Sequence, residues 1–595
     1  MTFRPVLVIA VAVLAFATTA CIAGSQGPIT AADAFLRDFA ARDLTAAADH
    51  TTRPENALPA LTSVWEELGA EELSARSGAA RISGDTATVD YTYEWRLAGA
   101  RNWSYTGQLP LVRSGGAWVV RWSAAAVHPR LGDTQTMALS VRPAPGARVN
   151  EQSGSDVLVP GTVSRVTFDA AGSGDPERVA TEVSRAVSGI DERLTPQRIL
   201  ESARGAEGPY TVIVLNETEF GRAGPRLIGL PGVRVTQEWD LTPVDRSFAP
   251  DLMTQVRQAV IGEVDGRAGW RVVTRNAGGA ETGVLHEVAA RPAPSFTLSV
   301  DRQIQNAAQR AVDGRREQTM MVVIEPSTGG ILAVAQNPAA DRDGPVATIG
   351  QYPPGSVFKT VTAAAAISAG VATPDTVVAC PSAITIGERM IPNYNDFTIG
   401  NVPMSTAYAR SCNTSFAKLS SELPAEALSE TAAEFGIGPD YSVVGLPTYS
   451  GSVPVSEDRI QRTEDGIGQG RVVVSPFGMA LTAAAIAHGS APTPYLIAGR
   501  ETVVDGQRPV PAAEVVRGLR AMMREVVLTG TANRIADQGE VFGKTGEAEV
   551  AGGSHSWFVG YRGDLAFATL LVKGGSSDNA VAVTRDMLAA LPEGY

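Results

Sequence analysis

A serine and a lysine three residues apart, Ser356 and Lys359, stand where the sequence predicts the start of a helix. Tyr-Pro-Pro-Gly at 352–355 ends the preceding element, and the apolar run 360–367 predicts a buried helix with Ser356 in its first turn. Residues at i and i+3 share a helix face, so the lysine amine can reach the serine hydroxyl. The free amides of a first helical turn also bind negative charge. The segment therefore has the arrangement of an activated serine.

The small number of lysines strengthens this interpretation. The chain has 50 lysine and arginine residues, but only four are lysine: Lys359, Lys418, Lys544 and Lys573. A chain so biased toward arginine is expected to keep lysine where arginine cannot serve, and the evident case is an amine that must lose its proton. Lys359 is therefore a candidate base.

Length, charge and composition narrow the class of protein. A chain of 595 residues is expected to hold about three or four domains. The net charge of −13 argues against a nucleic-acid partner. The five histidines and three cysteines form no metal-ligand spacing. We therefore expect chemistry that needs neither a metal nor an imidazole, and no cofactor is predicted.

Residues 1–21 are predicted to be a signal segment. Arg4 precedes an apolar stretch at 6–17, and Cys21 follows at the position where a bacterial lipoprotein is cut and lipidated. Thr18 stands where such a lipobox usually has leucine, so an uncleaved membrane anchor and complete release stay open as alternatives. The apolar stretch is short for a transmembrane helix, which favours lipidation. All three outcomes place the body of the chain outside the cytoplasm.

Two cysteines remain if Cys21 carries lipid. Outside the cytoplasm disulfides are permitted, and Cys380 and Cys412 are then the candidate pair. Sequence spacing does not show that two sulfur atoms meet. We therefore favour two buried free thiols over a disulfide.

Residues 27–140 are predicted to form a small α+β domain. Thr30 caps a helix that runs through Asp49, and a second helix spans 60–72. Strands with period-two alternation follow at 88–95, 103–112 and 118–122. Helices followed by an aromatic meander are typical of the α+β class.

Two further regions complete a multidomain α+β fold. Residues 141–296 alternate strands and helices without a catalytic spacing, which predicts an intermediate domain or stalk. Residues 297–595 begin with a helix and two apolar strands and end with a strand pair and a helix. Strands from both ends of this region predict one antiparallel sheet, covered by a helical insertion, that frames the Ser356 helix.

Two more motifs follow Ser356. Ser411-Cys412-Asn413 lies between two predicted helices, where such a tripeptide alone is more often a helix cap. Lys544-Thr545-Gly546 opens a strand, where glycine lets a ligand or another backbone approach and the Lys-Thr pair can hold a carboxylate. In this order, Ser-x-x-Lys, Ser-x-Asn and Lys-Thr-Gly resemble the signatures of the penicillin-recognising serine enzymes.

The resemblance extends over residues 297–591. Gly468-Gln469-Gly470 and the run 555–561 resemble phrases of the transpeptidase domains of class B penicillin-binding proteins. The aromatic domain upstream is similar to the NTF2-like module that precedes some of these enzymes, and residues 141–296 take the place of their dimerisation or pedestal domain. The resemblance implies a serine β-lactamase-like catalytic domain at 297–595, an antiparallel sheet flanked by helices.

The resemblance also implies a role for each residue of the first two motifs. Ser356 is the acylated nucleophile and Lys359 is its general base. Partial burial and the positive charge of Lys544 lower the pKa of Lys359, which arginine could not match. Ser411 relays a proton to the departing amine, and Asn413 holds Lys359 and the substrate amide.

The third motif is implied to bind the substrate. Lys544 and Thr545 hold the terminal carboxylate beside Gly546, and the backbone amides of Ser356 and Glu547 form the oxyanion hole. Many relatives have threonine where this chain has Glu547. A glutamate side chain would repel the carboxylate of a substrate or β-lactam unless it turns away or pairs, for instance with an arginine. We therefore predict intact acylation chemistry and weakened β-lactam affinity.

The activity that the resemblance implies is that of a monofunctional, membrane-anchored peptidoglycan D,D-transpeptidase. The implied partners are peptidoglycan stem peptides, β-lactams and a glycosyltransferase of the cell-wall machinery. Water as the acyl acceptor would instead give a D,D-carboxypeptidase or a β-lactamase. A pocket used only for binding would give a β-lactam sensor or scaffold, although the intact lysines argue against a silent pocket.

Overall fold

The computed structural model describes residues 27–595 and divides them into two compact units. The first unit is the chain up to Arg142 together with Gly269–Ala289, and the second is Pro143–Ala268 with Ala290–Tyr595. The second unit begins close to the predicted boundary at 140/141, but one hairpin of the intermediate region belongs to the first unit. Residues on both sides of the predicted boundary at 296/297 fall in the second unit, so the division into three domains stays a prediction.

Three helices and an antiparallel meander open the first unit. The helices are α1 (Pro28–Ala40), α2 (Leu44–Asp49) and α3 (Pro54–Leu68). The strands are β1 (Ala70–Ser83), β2 (Thr86–Leu97), β3 (Arg101–Ser114) and β4 (Ala117–Val120), paired in that order, and β5 (Gln135–Arg142) follows a 3-10 turn. Buried residues alternate along β2, and Tyr93 and Trp95 pack edge-on against Phe39 of α1. The predicted α+β layout of this region is confirmed.

Two local predictions for this unit are wrong. The helix predicted from Thr30 to Asp49 is two helices, because Arg42 between them adopts a φ of 63°. The first of these helices begins after Gly27, without a side-chain cap. Strand β1 is absent from the prediction because most of its residues are exposed, so no period-two pattern of apolar residues marks it.

The intermediate region begins the second unit. Its strands are β6 (Arg148–Asn150), β7 (Asp156–Phe168), β8 (Tyr210–Asn216) and β9 (Val233–Pro243). Its helices are α4 (Pro176–Val187), α5 (Pro196–Gly205), α6 (Glu217–Leu227) and α7 (Pro250–Asp265). The long strand β7 pairs antiparallel with β6, β8 and β9, and so organises this sheet.

A hairpin then returns to the first unit. Strands β10 (Gly269–Asn276) and β11 (Glu281–Val288) pair with each other, and β10 also pairs antiparallel with β5. Trp270 and Val272 of β10 join the apolar core of the first unit. This burial explains why the hairpin belongs to that unit.

The remaining chain forms the rest of the second unit. Before a 3-10 turn at Gly355–Phe358 it contains β12 (Ser295–Thr297), α8 (Arg302–Asp313), β13 (Thr319–Ile324), β14 (Ile331–Gln336), α9 (Pro338–Asp341) and α10 (Val346–Ile349). The next helices and strands are α11 (Lys359–Ser368), β15 (Val377–Cys380), β16 (Ala383–Ile386), β17 (Arg389–Pro392), β18 (Gly400–Pro403), α12 (Met404–Ala409), α13 (Asn413–Glu422), α14 (Ala427–Glu434), β19 (Asp440–Ser442) and β20 (Gly451–Ser452). The last are α15 (Arg459–Gly466), β21 (Val473–Val474), α16 (Pro476–His488), β22 (Val503–Asp505), α17 (Ala513–Leu528), β23 (Val541–Val550), β24 (Gly553–Arg562), β25 (Leu565–Leu571) and α18 (Asp578–Ala589).

One five-stranded antiparallel sheet lies at the centre of this region. Its order is β14-β13-β25-β24-β23, so two strands come from before the 3-10 turn and three from the C-terminal end. The prediction of one sheet built from both ends of the region is confirmed. Strand β23 is an edge strand, and its outer edge faces the 3-10 turn that carries Ser356.

Across residues 27–595, no helix combines the length and the apolar composition that crossing a membrane requires. Cys21 lies outside the described residues. Its lipidation stays a prediction.

Candidate active site

Ser356 lies in the 3-10 turn Gly355–Phe358, and Lys359 begins the α-helix α11 directly after it. The predicted helix start is therefore correct in position, but the serine is in a tighter turn than an α-helix. With three residues per turn, side chains at i and i+3 lie directly above one another. This places Lys359 Nζ 2.9 Å from Ser356 Oγ.

Three glycines allow the segments around this turn to approach one another. The N–H of Gly355 donates to the Gly468 carbonyl at 2.9 Å, and a Cβ on Gly468 would lie 2.0 Å from the Gly355 oxygen. A Cβ on Gly355 would lie 2.3 Å from the Glu547 oxygen, and one on Gly546 would lie 2.9 Å from the backbone nitrogen of Val357. Any side chain at these glycines would therefore push the nucleophile turn, the segment at Gly468 and strand β23 apart.

The amine of Lys359 is completely buried and fully hydrogen-bonded. It donates to the Ser411 carbonyl at 2.8 Å and to Asn413 Oδ1 at 2.6 Å. Asn413 is held in this orientation because its Nδ2 donates to the Pro392 carbonyl at 3.1 Å. Both oxygens can only accept, so they take two N–H groups of a neutral amine. The remaining lone pair is left to accept the proton of Ser356 Oγ.

The electrostatic surroundings favour this neutral form. Burial, followed by the nearby charge of Lys544, lowers the pKa of Lys359 well below its usual value. The sequence analysis names the same two causes for a lowered pKa of Lys359, except that it expects partial burial and the structure shows complete burial. None of the ion pairs between residues 27 and 595 involves either lysine. No carboxylate therefore restores the charge of Lys359.

Lys544 lies in the centre of β23 and is also completely buried. Burial lowers its pKa to about 7. Its Nζ donates to Ser411 Oγ at 2.9 Å and to the Thr545 carbonyl at 2.8 Å, and it lies 5.5 Å from the centre of the Tyr408 ring. Ser411 Oγ is also 3.4 Å from Lys359 Nζ, so one hydroxyl bridges the two amines.

The loop between α12 and α13 carries Ser411 in a strained conformation. Ser411 has a φ of 60°, and the N–H of Cys412 donates to the Ala407 carbonyl at 2.8 Å. Non-glycine residues rarely adopt this conformation, and they concentrate at functional sites. The strain turns both the carbonyl and the hydroxyl of Ser411 toward the lysines.

A disulfide joins Cys412 to Cys380, so the preference for free thiols is wrong. Cys380 ends β15 and Cys412 lies between Ser411 and Asn413, with their Cα atoms 6.2 Å apart. That separation is within the range that a disulfide spans, and only the tertiary fold creates it. The predicted burial of both sulfurs is confirmed, since both residues are 0% exposed.

Thr545 and Gly546 follow Lys544 on the same edge strand. Thr545 Oγ1 lies 2.5 Å from Thr531 Oγ1, and either hydroxyl can be the donor. Gly546 pairs across the sheet with Trp557, whose Nε1 donates to the Pro353 carbonyl at 3.0 Å. The sheet therefore holds the segment that leads into Ser356.

The carboxylate of Glu547 turns away from this pocket. Its Oε1 accepts a hydrogen bond of 2.8 Å from the N–H of Ser577, at the beginning of α18. The sequence analysis expects this side chain to repel a substrate carboxylate unless it turns away or pairs, for instance with an arginine. In the structure it turns away, and its partner is a backbone amide.

The backbone of Glu547 faces the nucleophile turn. The Glu547 carbonyl lies against Gly355, and in an extended strand the N–H of a residue points to the same edge as its carbonyl. The Glu547 amide therefore faces the nucleophile turn.

Three further residues support the site, and two of them, Thr531 and Tyr408, are absent from the sequence analysis. The Thr531 hydroxyl forms a hydrogen bond with the Thr545 hydroxyl, and the Tyr408 ring packs against the Lys544 amine. The Gly468 carbonyl accepts a hydrogen bond from the Gly355 N–H. Gly468 lies in a Gly-x-Gly phrase, which is a detectable signal for close backbone approach. Thr531 and Tyr408 carry no local signal, because only the fold brings them to the site.

The residues predicted for the site converge at one edge of the sheet. A serine hydroxyl faces a buried amine whose pKa is lowered well below its usual value, a second hydroxyl bridges that amine to another, and the edge strand β23 lies alongside. This arrangement can deprotonate the serine and transfer an acyl group without an imidazole. Fold and site together define a serine enzyme with a lysine base, of the penicillin-recognising class.

Comparison with known families and proteins agrees with this class. The family described as "Penicillin binding protein transpeptidase domain" matches residues 319–589. The family described as "NTF2-like N-terminal transpeptidase domain" matches residues 27–135. The chain therefore carries an NTF2-like N-terminal transpeptidase domain followed by a penicillin-binding protein transpeptidase domain.

Two curated relatives of this chain are named peptidoglycan D,D-transpeptidases. PbpA of Mycobacterium tuberculosis is 27% identical over 285 residues, which cover 40% of this chain and 58% of that protein. MrdA of Escherichia coli is 27% identical over 248 residues, which cover 36% of this chain and 39% of that protein. The matched segment therefore spans only about half the length of these relatives.

A solved structure shows the same fold. A complex between the penicillin-binding protein PBP2 and MreC from Helicobacter pylori matches with a TM-score of 0.56 and 17% identity. The match covers 76% of this chain and 98% of the solved chain. At this identity the likeness concerns the fold alone.

Proposed function

We propose that this chain is a peptidoglycan D,D-transpeptidase that acts through an acyl-enzyme on Ser356. The observation that carries the proposal is the hydrogen bonding of Lys359. Its Nζ contacts two acceptor oxygens and lies 2.9 Å from Ser356 Oγ, so in the neutral form that its lowered pKa favours, the lone pair is left for the serine proton. A serine is poorly nucleophilic until a base takes its proton, and this amine is a base within reach.

In the acylation step, Ser356 Oγ attacks the carbonyl carbon of the D-Ala-D-Ala peptide bond while its proton passes to Lys359. The carbonyl oxygen becomes an oxyanion, which accepts hydrogen bonds from the backbone amides of Ser356 and Glu547. Fixed donors aimed at developing charge are among the strongest contributions to catalysis. The orientation of the Glu547 strand edge toward Gly355 supports this role.

The terminal carboxylate of the stem peptide binds to Lys544 and to the hydroxyls of Thr545 and Thr531. Lys544 brings a buried positive charge, and the two hydroxyls lie 2.5 Å from each other on the same side of the strand. A charge-assisted hydrogen bond to a carboxylate is about twice as strong as a neutral one. This contact orients the scissile bond toward Ser356.

Ser411 carries the proton to the leaving group. Its hydroxyl accepts from Lys544 at 2.9 Å and lies 3.4 Å from Lys359. The C–N bond breaks as the amine of D-Ala takes a proton through Ser411, and D-Ala leaves. An amine of a neighbouring stem then attacks the ester, loses its proton along the same route and regenerates Ser356.

The names of the relatives support the proposed reaction, but they do not test the membrane attachment or the protein partner. PbpA and MrdA carry the name of the activity. We propose that the chain acts outside the cytoplasm at the cell membrane, bound through residues 1–21. The glycosyltransferase partner stays a prediction. The PBP2 of the solved complex is bound to MreC, which was not among the predicted partners.

Mass spectrometry and product analysis test the proposal. The full-length protein is incubated with penicillin, with Ser356→Ala as the control, and we expect one covalent adduct in the wild type and none in the variant. A pentapeptide donor with an amine acceptor should then give the transfer product and free D-Ala. An unmodified wild type would exclude the acyl-enzyme, and hydrolysis without transfer would indicate a carboxypeptidase.

A further inference from the structure

A buried carboxylate near the end of α15 has no part in the reaction proposed above. It belongs to Asp465, which is 0% exposed and lies outside the three sequence motifs. A carboxylate is costly to bury unless hydrogen bonds and a nearby positive charge compensate for the water that it loses. Asp465 has both, and they connect it to the segment that follows the helix.

Three hydrogen bonds hold this carboxylate. Its Oδ1 accepts from the backbone N–H of Arg471 at 2.6 Å and from Gln461 Nε2 at 2.9 Å. Its Oδ2 accepts from the hydroxyl of Ser456. The guanidinium of Arg471 supplies the positive charge, since its Nη2 lies 3.8 Å from Oδ2 and donates to Ser456 Oγ at 2.9 Å. The carboxylate therefore ties the chain at Arg471 back to α15 and to the segment before that helix.

The residues between Asp465 and Arg471 form a turn at 466–470, which we call the support turn. A backbone hydrogen bond closes its first half, because the N–H of Gly468 donates to the Asp465 carbonyl at 2.9 Å. The far end of the turn is fixed by the side chain of Asp465, which accepts from the N–H of Arg471. One carboxylate thus spans the support turn from the residue before it to the residue after it.

The support turn contacts the nucleophile segment at two points. The Gly468 carbonyl accepts from the N–H of Gly355, directly before the nucleophile, at 2.9 Å. The Gly466 carbonyl accepts from Oγ1 of Thr362, a buried residue in the first turn of α11, at 2.6 Å. Both acceptors are backbone carbonyls, so their positions depend on the conformation of the support turn.

A change in the support turn affects bond formation more than binding. The groups proposed to hold the substrate carboxylate, Lys544 and Thr545, lie on strand β23, whereas Ser356 lies in the turn that Gly468 contacts. A reacting group misplaced by about 1 Å can react about a hundredfold more slowly. A looser support turn should therefore slow acylation without weakening the noncovalent complex.

We propose that Asp465 is a positioning residue for Ser356. Its carboxylate fixes the support turn, and the Gly466 and Gly468 carbonyls then fix the segment that carries the nucleophile. Asp465 acts through this turn and takes no proton from the reaction. The proposal rests on the acyl-enzyme proposed for Ser356, and it adds the group that keeps the nucleophile in place.

Stopped-flow labelling of the full-length protein by a fluorescent penicillin tests this role. A series of penicillin concentrations separates the Kd of the noncovalent complex from the rate constant of acylation. Asp465→Ala removes all three hydrogen bonds, and Asp465→Asn keeps the shape and Oδ1 but loses the charge. Asp240→Ala is the matched control, because Asp240 is a buried carboxylate of β9 that accepts from Arg257 Nε at 2.7 Å.

We expect Asp465→Ala to lower the acylation rate constant about tenfold or more and to leave Kd within about twofold, at a temperature where each variant is folded. Asp465→Asn should lower it about threefold, because a charge-assisted hydrogen bond becomes a neutral one. This variant decides the test if Asp465→Ala does not fold. Asp240→Ala should keep the rate constant of the wild type.

Hydrogen exchange, followed by mass spectrometry on peptides that contain Gly355, gives a measurement that needs no reaction. The Gly355 amide should exchange about tenfold faster in Asp465→Ala and at the wild-type rate in Asp240→Ala. If penicillin does not label the wild type, the proposed function fails, and exchange at Gly355 alone decides whether Asp465 holds the turn. An unchanged acylation rate constant in both Asp465 variants, an effect on Kd alone, an equal effect in Asp240→Ala, or unchanged exchange at Gly355 would overturn the proposal.

Discussion

Glu547 Oε1 accepts a hydrogen bond of 2.8 Å from the backbone N–H of Ser577. The two residues belong to the edge strand β23 and to the beginning of the last helix, α18. The carboxylate thereby satisfies one of the free amides of that helix and stands in the favourable field of its N-terminus. Glutamate at this position is consequently a structural contact, and its charge is held off the open edge of the strand.

Two substitutions at Glu547 distinguish the effect of its negative charge from the effect of its hydrogen bond to Ser577. Glu547→Gln keeps an acceptor for Ser577 and removes the charge, so we expect penicillin to acylate Ser356 about twofold faster, because relieving a weak, water-screened repulsion is worth about 0.5 kcal/mol. Glu547→Thr loses the acceptor and supplies a hydroxyl. We expect it to unfold about 1 kcal/mol more easily and to be acylated faster than the glutamine variant.

The measurement is the second-order rate constant of labelling by a fluorescent penicillin, with thermal unfolding alongside. An acylation rate in Glu547→Thr equal to that of the wild type would show that this residue does not weaken β-lactam binding. An unchanged melting temperature would show that the contact with Ser577 contributes nothing to stability.

The pKa of Lys544 predicts how acylation responds to pH. Its pKa is lowered to about 7 by burial, so its positive charge is present below neutral pH and is lost as the pH rises through that value. A carboxylate-bearing β-lactam needs that charge in the free enzyme. We expect the second-order acylation rate of penicillin to fall about tenfold or more between about pH 7 and pH 9.

Two controls assign this fall to Lys544. A penicillin methyl ester lacks the carboxylate, and its slower acylation should show no alkaline fall. Lys544→Arg keeps its charge at all these pH values, so its acylation rate should also stay level. A wild-type profile that is flat to pH 9 would contradict the role of Lys544 in carboxylate binding.

The sequence predicts the parts of this site that depend on residue type. Ser356, Lys359 and the two later motifs are recognisable because a lysine base, a hydroxyl relay and a glycine at a strand edge each need a particular side chain. The central sheet is predictable for a similar reason, since its strands are apolar runs at the two ends of one region. Local chemistry and local periodicity are both present in the sequence.

Relations between distant segments are not predictable in the same way. The sequence favours free thiols at Cys380 and Cys412, because nothing in their spacing indicates that their Cα atoms lie 6.2 Å apart. The amide partner of Glu547 is 30 residues away in the chain. The hairpin at Gly269–Ala289 pairs with a strand more than a hundred residues earlier. Each of these depends on how the completed fold packs, which no local pattern records.

Lys359→Arg tests whether the base must lose its proton. Arginine stays protonated at any pH that a protein tolerates, so it cannot accept the proton of Ser356. We expect penicillin labelling to fall by about 10³-fold, the usual contribution of a general base. Lys418→Arg is the matched control, because this exposed lysine forms an ion pair with Glu422 on its own helix, away from the residues of the site. Labelling of Lys359→Arg within tenfold of the wild type would exclude Lys359 as the base.

Gly468→Ala tests the close packing behind the nucleophile. A Cβ at this position would lie 2.0 Å from the Gly355 oxygen, at a φ of 75°. Gly499 has a φ of 73°, and a Cβ added there would meet no atom within 4 Å beyond its chain neighbours, so Gly499→Ala carries the backbone strain alone. We expect Gly499→Ala to lose about 1 kcal/mol of unfolding free energy with unchanged labelling.

Gly468→Ala should lose about 3 kcal/mol or more, since the backbone of the nucleophile turn has to move. Its labelling by penicillin should also be slower, even at a temperature where it is fully folded. Equal stability and equal labelling of the two alanine variants would show that the approach of Gly468 to Gly355 is unimportant.

The disulfide between Cys380 and Cys412 closes a loop with a sequence separation of 32 residues and clamps the middle of the Ser-x-Asn motif. Removing it by Cys380→Ser/Cys412→Ser should cost about 3–4 kcal/mol of unfolding free energy, from the loop length alone. It should also slow acylation, because Asn413 and Ser411 hold the Lys359 amine from either side of Cys412. A reducing agent should slow the wild type toward the rate of the double variant and leave the variant unchanged. If reduction alters neither the labelling rate nor the melting temperature of the wild type, the disulfide neither positions the motif nor stabilises the fold.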